Sequence, residues 1–179
     1  MNRLAKALPL LLLALGAGCM LISGQITIVQ KFDDDTDVSD QKIYALSVDL
    51  NENSDYKDHK DKIKSLEAIG FVVKVWNHGN LEGKGQGYLS LVPIDILGME
   101  PEDIADHPDT YLILDIKDPI PPGGFRDITF EDSQKYITNF DMIEEAIKEG
   151  SIYFFGITDI GQIVEWEDLK LIATVNFGL

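Results

Sequence analysis

Short runs in which apolar and polar residues alternate recur along the chain, and they predict eight β-strands. In IGFVVKVW (69–76), Ile69, Phe71, Val73 and Val75 share one face, whereas Lys74 lies on the other. This period of two residues is typical of a strand that packs one face against a core. The same criterion predicts strands at 25–32, 42–50, 69–76, 87–94, 110–117, 124–130, 151–158 and 169–177.

Helical periodicity is concentrated in one segment, 139–150. Phe140, Ile143 and Ile147 form an apolar stripe there, and Asn139 and Gly150 are suited to cap its two ends. A weaker helix is predicted at 54–67, because two oppositely charged pairs have i,i+4 spacing in that segment. These pairs are Lys57/Asp61 and Asp58/Lys62.

Many strands with little helix predict a mainly β protein, a two-layer antiparallel β-sandwich with one or two short helices. A parallel sheet would need a helix between most strands, and the gaps are too short or too polar for that. The arrangement resembles immunoglobulin-like sandwiches in architecture, although the Cys–Trp–Cys core of antibody domains is absent. We expect one such domain at 25–179.

The first eighteen residues have the composition of a signal peptide. Arg3 and Lys6 give a positive start, 7–15 is apolar, and 16–18 is Gly-Ala-Gly. A spanning helix would need about 20 apolar residues. The apolar run 7–22 is shorter and is interrupted by proline and glycine, so residues 1–18 are predicted to be removed.

Cys19, the one cysteine of the chain, follows these small residues. The Gly-Cys junction resembles the lipobox of bacterial lipoproteins, which implies a diacylglyceryl group, of the palmitate type, on the Cys19 thiol and cleavage just before it. Gly16 stands where leucine is usual, so cleavage by the ordinary signal peptidase, releasing a soluble protein with a free thiol, is the alternative. Lipidation would remove that reactive thiol and is favoured. Residues 55–77 also resemble bacterial lipoproteins, a likeness that implies no activity.

Residues 19–24 are then the lipid anchor and a short tether. Met20 to Gly24 span at most about 18 Å, so the domain is expected to rest close to the membrane. Met20 is not the aspartate that retains such proteins in the inner membrane. The resemblance therefore implies a cell-envelope protein, on the outer membrane if the host has one.

The charge of the chain limits its partners. The formal net charge is −16, and removal of Arg3 and Lys6 with the signal peptide leaves 13 basic and 31 acidic residues, or −18. Nucleic acid is not an expected partner, because phosphates need cations to replace their counterions. Attachment to the lipid bilayer would have to come from the N-terminal lipid, and the remaining partner would be a protein or a glycan.

The acidic run FDDDTDVSD (32–40) has the one-three-five spacing of a calcium loop at Asp33, Asp35 and Asp37. Val38 replaces the glycine of an EF-hand, and Tyr44 replaces its bidentate glutamate. A solvated acidic turn is the favoured interpretation, and a weak calcium site, serving glycan binding, is the alternative. No other cofactor is expected.

Candidate catalytic groups are sparse. His59, His78 and His107 lack metal-type spacing, and Lys84 in GNLEGKGQG (79–87) is not followed by the serine or threonine of a phosphate-binding loop. We expect a non-catalytic envelope lipoprotein used for binding or assembly. An exported hydrolase or transferase is the alternative. It would use loop carboxylates such as Asp127, Glu131 and Asp132.

The lipid anchor gives a direct test. The variant Cys19→Ala should lose labelling by a fatty-acid analogue and leave an unprocessed or soluble product, because the thiol that carries the lipid is gone. Labelling that is unchanged in the variant would contradict the assignment.

Overall fold

The computed structural model describes residues 24–32 and 42–178. Cys19 and the candidate calcium ligands Asp33, Asp35 and Asp37 lie outside the described residues. The eight strands are β1 (Gly24–Lys31), β2 (Tyr44–Asp49), β3 (Ile63–Asn77), β4 (Gly85–Ser90), β5 (Thr110–Asp115), β6 (Phe125–Ile128), β7 (Ser151–Thr158) and β8 (Val164–Phe177). The helices are α1 (Ser54–Lys57), α2 (Pro101–Ala105), α3 (Phe130–Ser133) and α4 (Phe140–Glu149), with 3₁₀ turns at Leu50–Glu52 and Lys60–Lys62.

The strands form two antiparallel sheets of four. The first sheet has the order β1-β8-β3-β6, and the second has the order β2-β7-β4-β5. The long strands β3 and β8 pair from Ile63↔Phe177 to Asn77↔Val164 and form the centre of the first sheet. The predicted mainly β class and its antiparallel sheets are confirmed, and each predicted strand overlaps an observed one.

The two sheets bury a common core between them. Trp166 of β8 is completely buried and meets Phe154 of β7 edge-on, with ring centroids 5.2 Å apart. Gly156 leaves room for the indole, since a Cβ built there would lie 2.3 Å from Trp166 Nε1. That Nε1–H group has no hydrogen-bond partner among the described residues, so packing alone holds the ring.

Helix α4 confirms the predicted helix and its ends, but the Asn139 side chain does not make the expected capping hydrogen bond. Ile143, Ala146 and Ile147 are buried, and Gly150 ends the helix in the left-handed conformation. The backbone of Asn139 is left-handed (φ 47°), which asparagine tolerates, and its side-chain amide donates to Leu112 O of β5 at 2.8 Å. A tertiary hydrogen bond has replaced the local one.

The predicted helix at 54–67 is wrong beyond its first turn. Asn53 caps α1, which ends at Lys57, and the chain enters β3 at Ile63. Both predicted charge pairs require a helix that continues past residue 60, so neither spacing is realised. Pairing of 63–66 with the end of β8 provides backbone partners over many residues and overrides the weak local preference.

The outer faces of the two sheets differ. Residues 91–109, which include α2, lie over the second sheet, where Ile104 packs against a small cluster with Tyr88, Phe155 and Ile157. The outer face of the first sheet instead carries half-buried or exposed side chains such as Lys74 and Trp76. Within the described part of the chain, no helix has both the length and the apolar character needed to cross a membrane.

Because Gly156 lies so close to Trp166, the loss of stability caused by a substitution at Gly156 should depend on the residue at position 166. Gly156→Ala should cost about 3 kcal/mol of unfolding free energy, because the new methyl group overpacks the core against the indole. In a Trp166→Phe background the smaller ring leaves space, so the added cost should fall well below that value. Urea denaturation of the four proteins measures both costs, and equal costs in both backgrounds would refute the proposed clash.

Candidate functional site

Among the described residues, the three histidines do not come together at one site. Within 24–32 and 42–178, no group of three or more histidine, cysteine, aspartate or glutamate side chains could hold a metal ion. His59 lies against the ring of Phe177 with centroids 4.7 Å apart, and His78 binds Glu165. His107 accepts a hydrogen bond from the backbone of Asp109. Each histidine thus has its own local contact.

Of the three candidate loop carboxylates, Asp132 makes hydrogen bonds within the local structure. Asp132 lies in the first turn of α3, where it accepts hydrogen bonds from Lys135 Nζ (2.7 Å) and Thr129 Oγ1 (2.9 Å). Lys135 and then Thr129 lower the pKa of Asp132 below its ordinary value. A general acid would need the opposite shift. Glu131 shares that turn, whereas Asp127 projects from β6 beside Lys74 of β3.

Three loops meet at one end of the sandwich, which we call the loop end: 78–84, 116–124 and 159–163. Asn77 is fully buried beneath them. Its side chain donates to Leu81 O (2.8 Å) and Ile120 O (3.0 Å) and accepts from Gly79 N (2.9 Å). Both N–H groups of this buried amide and one lone pair of its oxygen are therefore used, and they connect loop 78–84 with loop 116–124.

The third loop is joined by polar contacts of its own. Asp159 Oδ1 accepts from Lys84 N at 2.7 Å, and Gln162 Oε1 accepts from Asn80 N at 3.0 Å. The glycine-rich segment thus binds a carboxylate of the protein itself through Lys84 N. Its neighbour Gly83 leaves room for Ile160, whose side chain would lie 3.1 Å from a Cβ built there. These contacts hold loop 159–163 against loop 78–84, so all three loops of the loop end are connected.

An aromatic patch, made of Trp76, His78 and Phe125, borders the loop end on the outer face of the first sheet. Trp76 and Phe125 are cross-strand partners with ring centroids 4.6 Å apart, and His78 stacks parallel to Trp76 at 6.0 Å. Phe125 is 48% exposed, and the nearby loop side chains Leu81 (59%) and Ile160 (39%) are also exposed. This end of the molecule presents apolar side chains that the core does not use.

A bulge in β8 supplies the acidic edge of the patch. Val72 pairs with Lys170 but Lys74 pairs with Glu167, so β8 carries one extra residue, and Asp168 there has φ 57°. The bulge reverses the alternation of β8. It turns Trp166 into the core while Glu165 and Glu167 lie on the outer face beside the patch.

Charge and aromatic rings are coupled in this patch. Trp76 Nε1 donates to Glu167 Oε2 at 2.8 Å, and Lys74 Nζ lies 3.3 Å from the same oxygen. Lys74 Nζ also sits 5.8 Å from the Trp76 ring centroid and 5.4 Å from that of Phe125. The Trp76 hydrogen bond, followed by that of Lys74, lowers the pKa of Glu167 below its ordinary value. The patch is therefore an organised array of donors, acceptors and rings.

A depression of about 380 Å³ continues from the patch along β3. Its walls include Val72, Lys74, Asp127, Thr129 and Lys170, and Phe130 closes its far side. Phe130 lies directly over Gly70, where a Cβ would come within 2.3 Å of the phenyl ring. The outer face thus carries aromatic rings at both ends of a hollow that charged side chains also line.

Sequence reasoning missed this site, although part of its signal was present. The alternation in 69–76 places Lys74 and Trp76 on the face opposite the core, so an outward tryptophan was derivable. The partnership with Phe125 required the pairing of β3 with β6, which separates the two rings by 49 residues of sequence. The β-bulge at Asp168 could not be recognised in the sequence, because an aspartate at that position is also typical of a loop.

Comparison with known proteins adds no functional information. No protein-family model matches the sequence, and a search of curated proteins finds no match. A solved structure from turnip yellow mosaic virus aligns over 88% of this chain and 81% of its own, with 8% identity and a TM-score of 0.33. A likeness that weak carries no argument.

The Trp76–Glu167 pair predicts a pH-dependent signal. The indole N–H resonance of Trp76 should shift with an apparent pKa below about 4.3, the ordinary value for glutamate. The other tryptophan, Trp166, should not follow this titration, because its N–H group is buried without a partner. Glu167→Gln should abolish the shift at Trp76, and NMR titration from pH 7 to pH 2 measures it.

The interaction of Glu167 with Trp76 also predicts how the stability of the fold changes with pH. The pKa of Glu167 is lower in the folded chain. The contribution of this carboxylate is therefore present above its unfolded-state pKa and is lost as the pH falls through the folded-state pKa. A Trp76 resonance that titrates at or above the ordinary glutamate pKa would contradict the assigned interaction.

Proposed function

We propose that this chain is a non-catalytic lipoprotein of the cell envelope, whose β-sandwich binds a partner through the aromatic patch and the adjoining loop end. The observation that carries the proposal is a pre-organised cluster of exposed and half-buried rings, bordered by carboxylates, on a sheet face that the other described elements leave partly open. Aromatic side chains contribute large contact areas at low entropic cost, which suits a binding surface. The immunoglobulin-like description of the sandwich belongs to the same proposal.

The position of the patch relative to the start of β1 supports this function. Gly24 pairs with Phe177 at one end of β8, whereas Glu165 beside the patch lies twelve residues away along the same strand. At the rise of a β-strand that separation is about 40 Å. If Cys19 carries the lipid, the tether of five residues holds the opposite end near the bilayer and directs the patch away from it.

Removal of residues 1–18 and acylation of Cys19 are part of the proposal, as is sorting to the outer membrane where the host has one. Met20, Leu21 and Ile22 are apolar, so we infer that the tether lies in the headgroup region and limits the orientation of the sandwich. The partner would then be a component of the same envelope. The high negative charge of the domain would favour its solubility and would repel anionic lipid headgroups.

Site-specific photo-crosslinking tests the binding surface. A benzophenone amino acid placed at position 125 of the lipidated protein should form an adduct with an envelope component in intact envelopes. The matched control is position 97, because Leu97 is 90% exposed but lies in the cover of the second sheet. Adducts in equal yield at both positions, or none at position 125, would refute the patch as the binding surface.

A further inference from the structure

We propose that the outer surface of β3 binds a neutral, extended oligosaccharide, an inference that rests on the proposed function and specifies its ligand class. The β3 surface is defined here as the strip from Phe125 and Trp76, across Lys74 and Asp127, to Phe130. Its rings would pack against the C–H faces of sugars, and its polar middle would bind their hydroxyl groups.

The dimensions of the β3 surface favour a chain of sugars. Trp76 and Gly70 are six residues apart on β3, which corresponds to about 20 Å. Phe125 stands beside Trp76 at one end, and Phe130 covers Gly70 at the other. The hollow of about 380 Å³ lies between the two aromatic ends. An extended ligand could therefore contact a ring at each end and polar groups between them.

The middle of the strip offers both hydrogen-bond donors and acceptors. Lys74 and Lys170 supply ammonium groups, and Asp127 supplies a carboxylate. A sugar hydroxyl also donates and accepts, so it can pair with each of these groups. Such pairing would satisfy the polar groups that a ligand covers, which is the condition for binding without a large desolvation penalty.

The same charges disfavour the other classes of macromolecule. The core of a protein interface is depleted of charged residues, but here the charged side chains occupy the middle of the surface and the rings occupy its ends. A nucleic acid would place phosphates against Asp127 and Glu167 in a chain whose net charge is −16. A neutral polyhydroxylated ligand avoids both costs.

An array of immobilised neutral and acidic oligosaccharides tests the ligand class. Fluorescently labelled protein, with the full chain after Cys19, should bind neutral members, and Phe125→Ala and Asp127→Asn should each weaken that binding by roughly tenfold. The matched controls are Leu97→Ala and Asp109→Asn, which remove an exposed apolar group and an exposed carboxylate elsewhere on the surface. These two variants should bind as the parent protein does.

The outcomes separate this inference from the proposed function. No variant-sensitive binding to any array member, or equal losses in the control variants, would overturn the oligosaccharide assignment. A polypeptide adduct at position 125 in envelopes, together with a silent array, would also overturn it but would leave the proposed binding role intact. Binding to neutral glycans without fatty-acid labelling of Cys19 would support the ligand class and refute the membrane anchor.

Discussion

The packing of Trp166 between the two sheets is the constraint on which the rest of the structure depends. The indole is completely buried, meets Phe154 edge-on, and lies so close to Gly156 that no side chain fits there. Its contacts connect the centre of the first sheet with the centre of the second. Because a chain with one cysteine cannot form an internal disulfide, such packing must supply the cohesion of the sandwich.

The orientation of Trp166 also positions the candidate binding site. The bulge at Asp168 allows Leu169 and Trp166 both to face the core, although they are three residues apart in an alternating strand. The consequence on the other side of β8 is that Glu165 and Glu167 face outward beside Trp76. The β-bulge at Asp168 therefore sets both the core packing of Trp166 and the position of Glu165 and Glu167. A change in the packing of Trp166 would move these two carboxylates.

The outer faces of the two sheets are covered to different extents by the described residues. The second sheet is covered by residues 91–109, whose Ile104 is buried, so that face forms a second small core. On the first sheet, α3 lies over part of β3, where Phe130 contacts Gly70. The remaining surface of this sheet combines rings and charges, and the hydrogen bonds of Asn77 hold the neighbouring loops in place.

Local pattern was enough to locate the eight strands, though not all of their ends, because alternation of apolar residues reflects which side of each strand meets the core. The stripe of Ile143 and Ile147 likewise determined α4, and composition determined the acidity of the surface. Only the tertiary structure decided that Asn139 binds β5, that 63–66 is strand, and that Trp76 meets Phe125 and Glu167. Those outcomes depend on partners far away in sequence, whose register is set by the pairing of β3 with β6 and β8, and no local pattern contains that information.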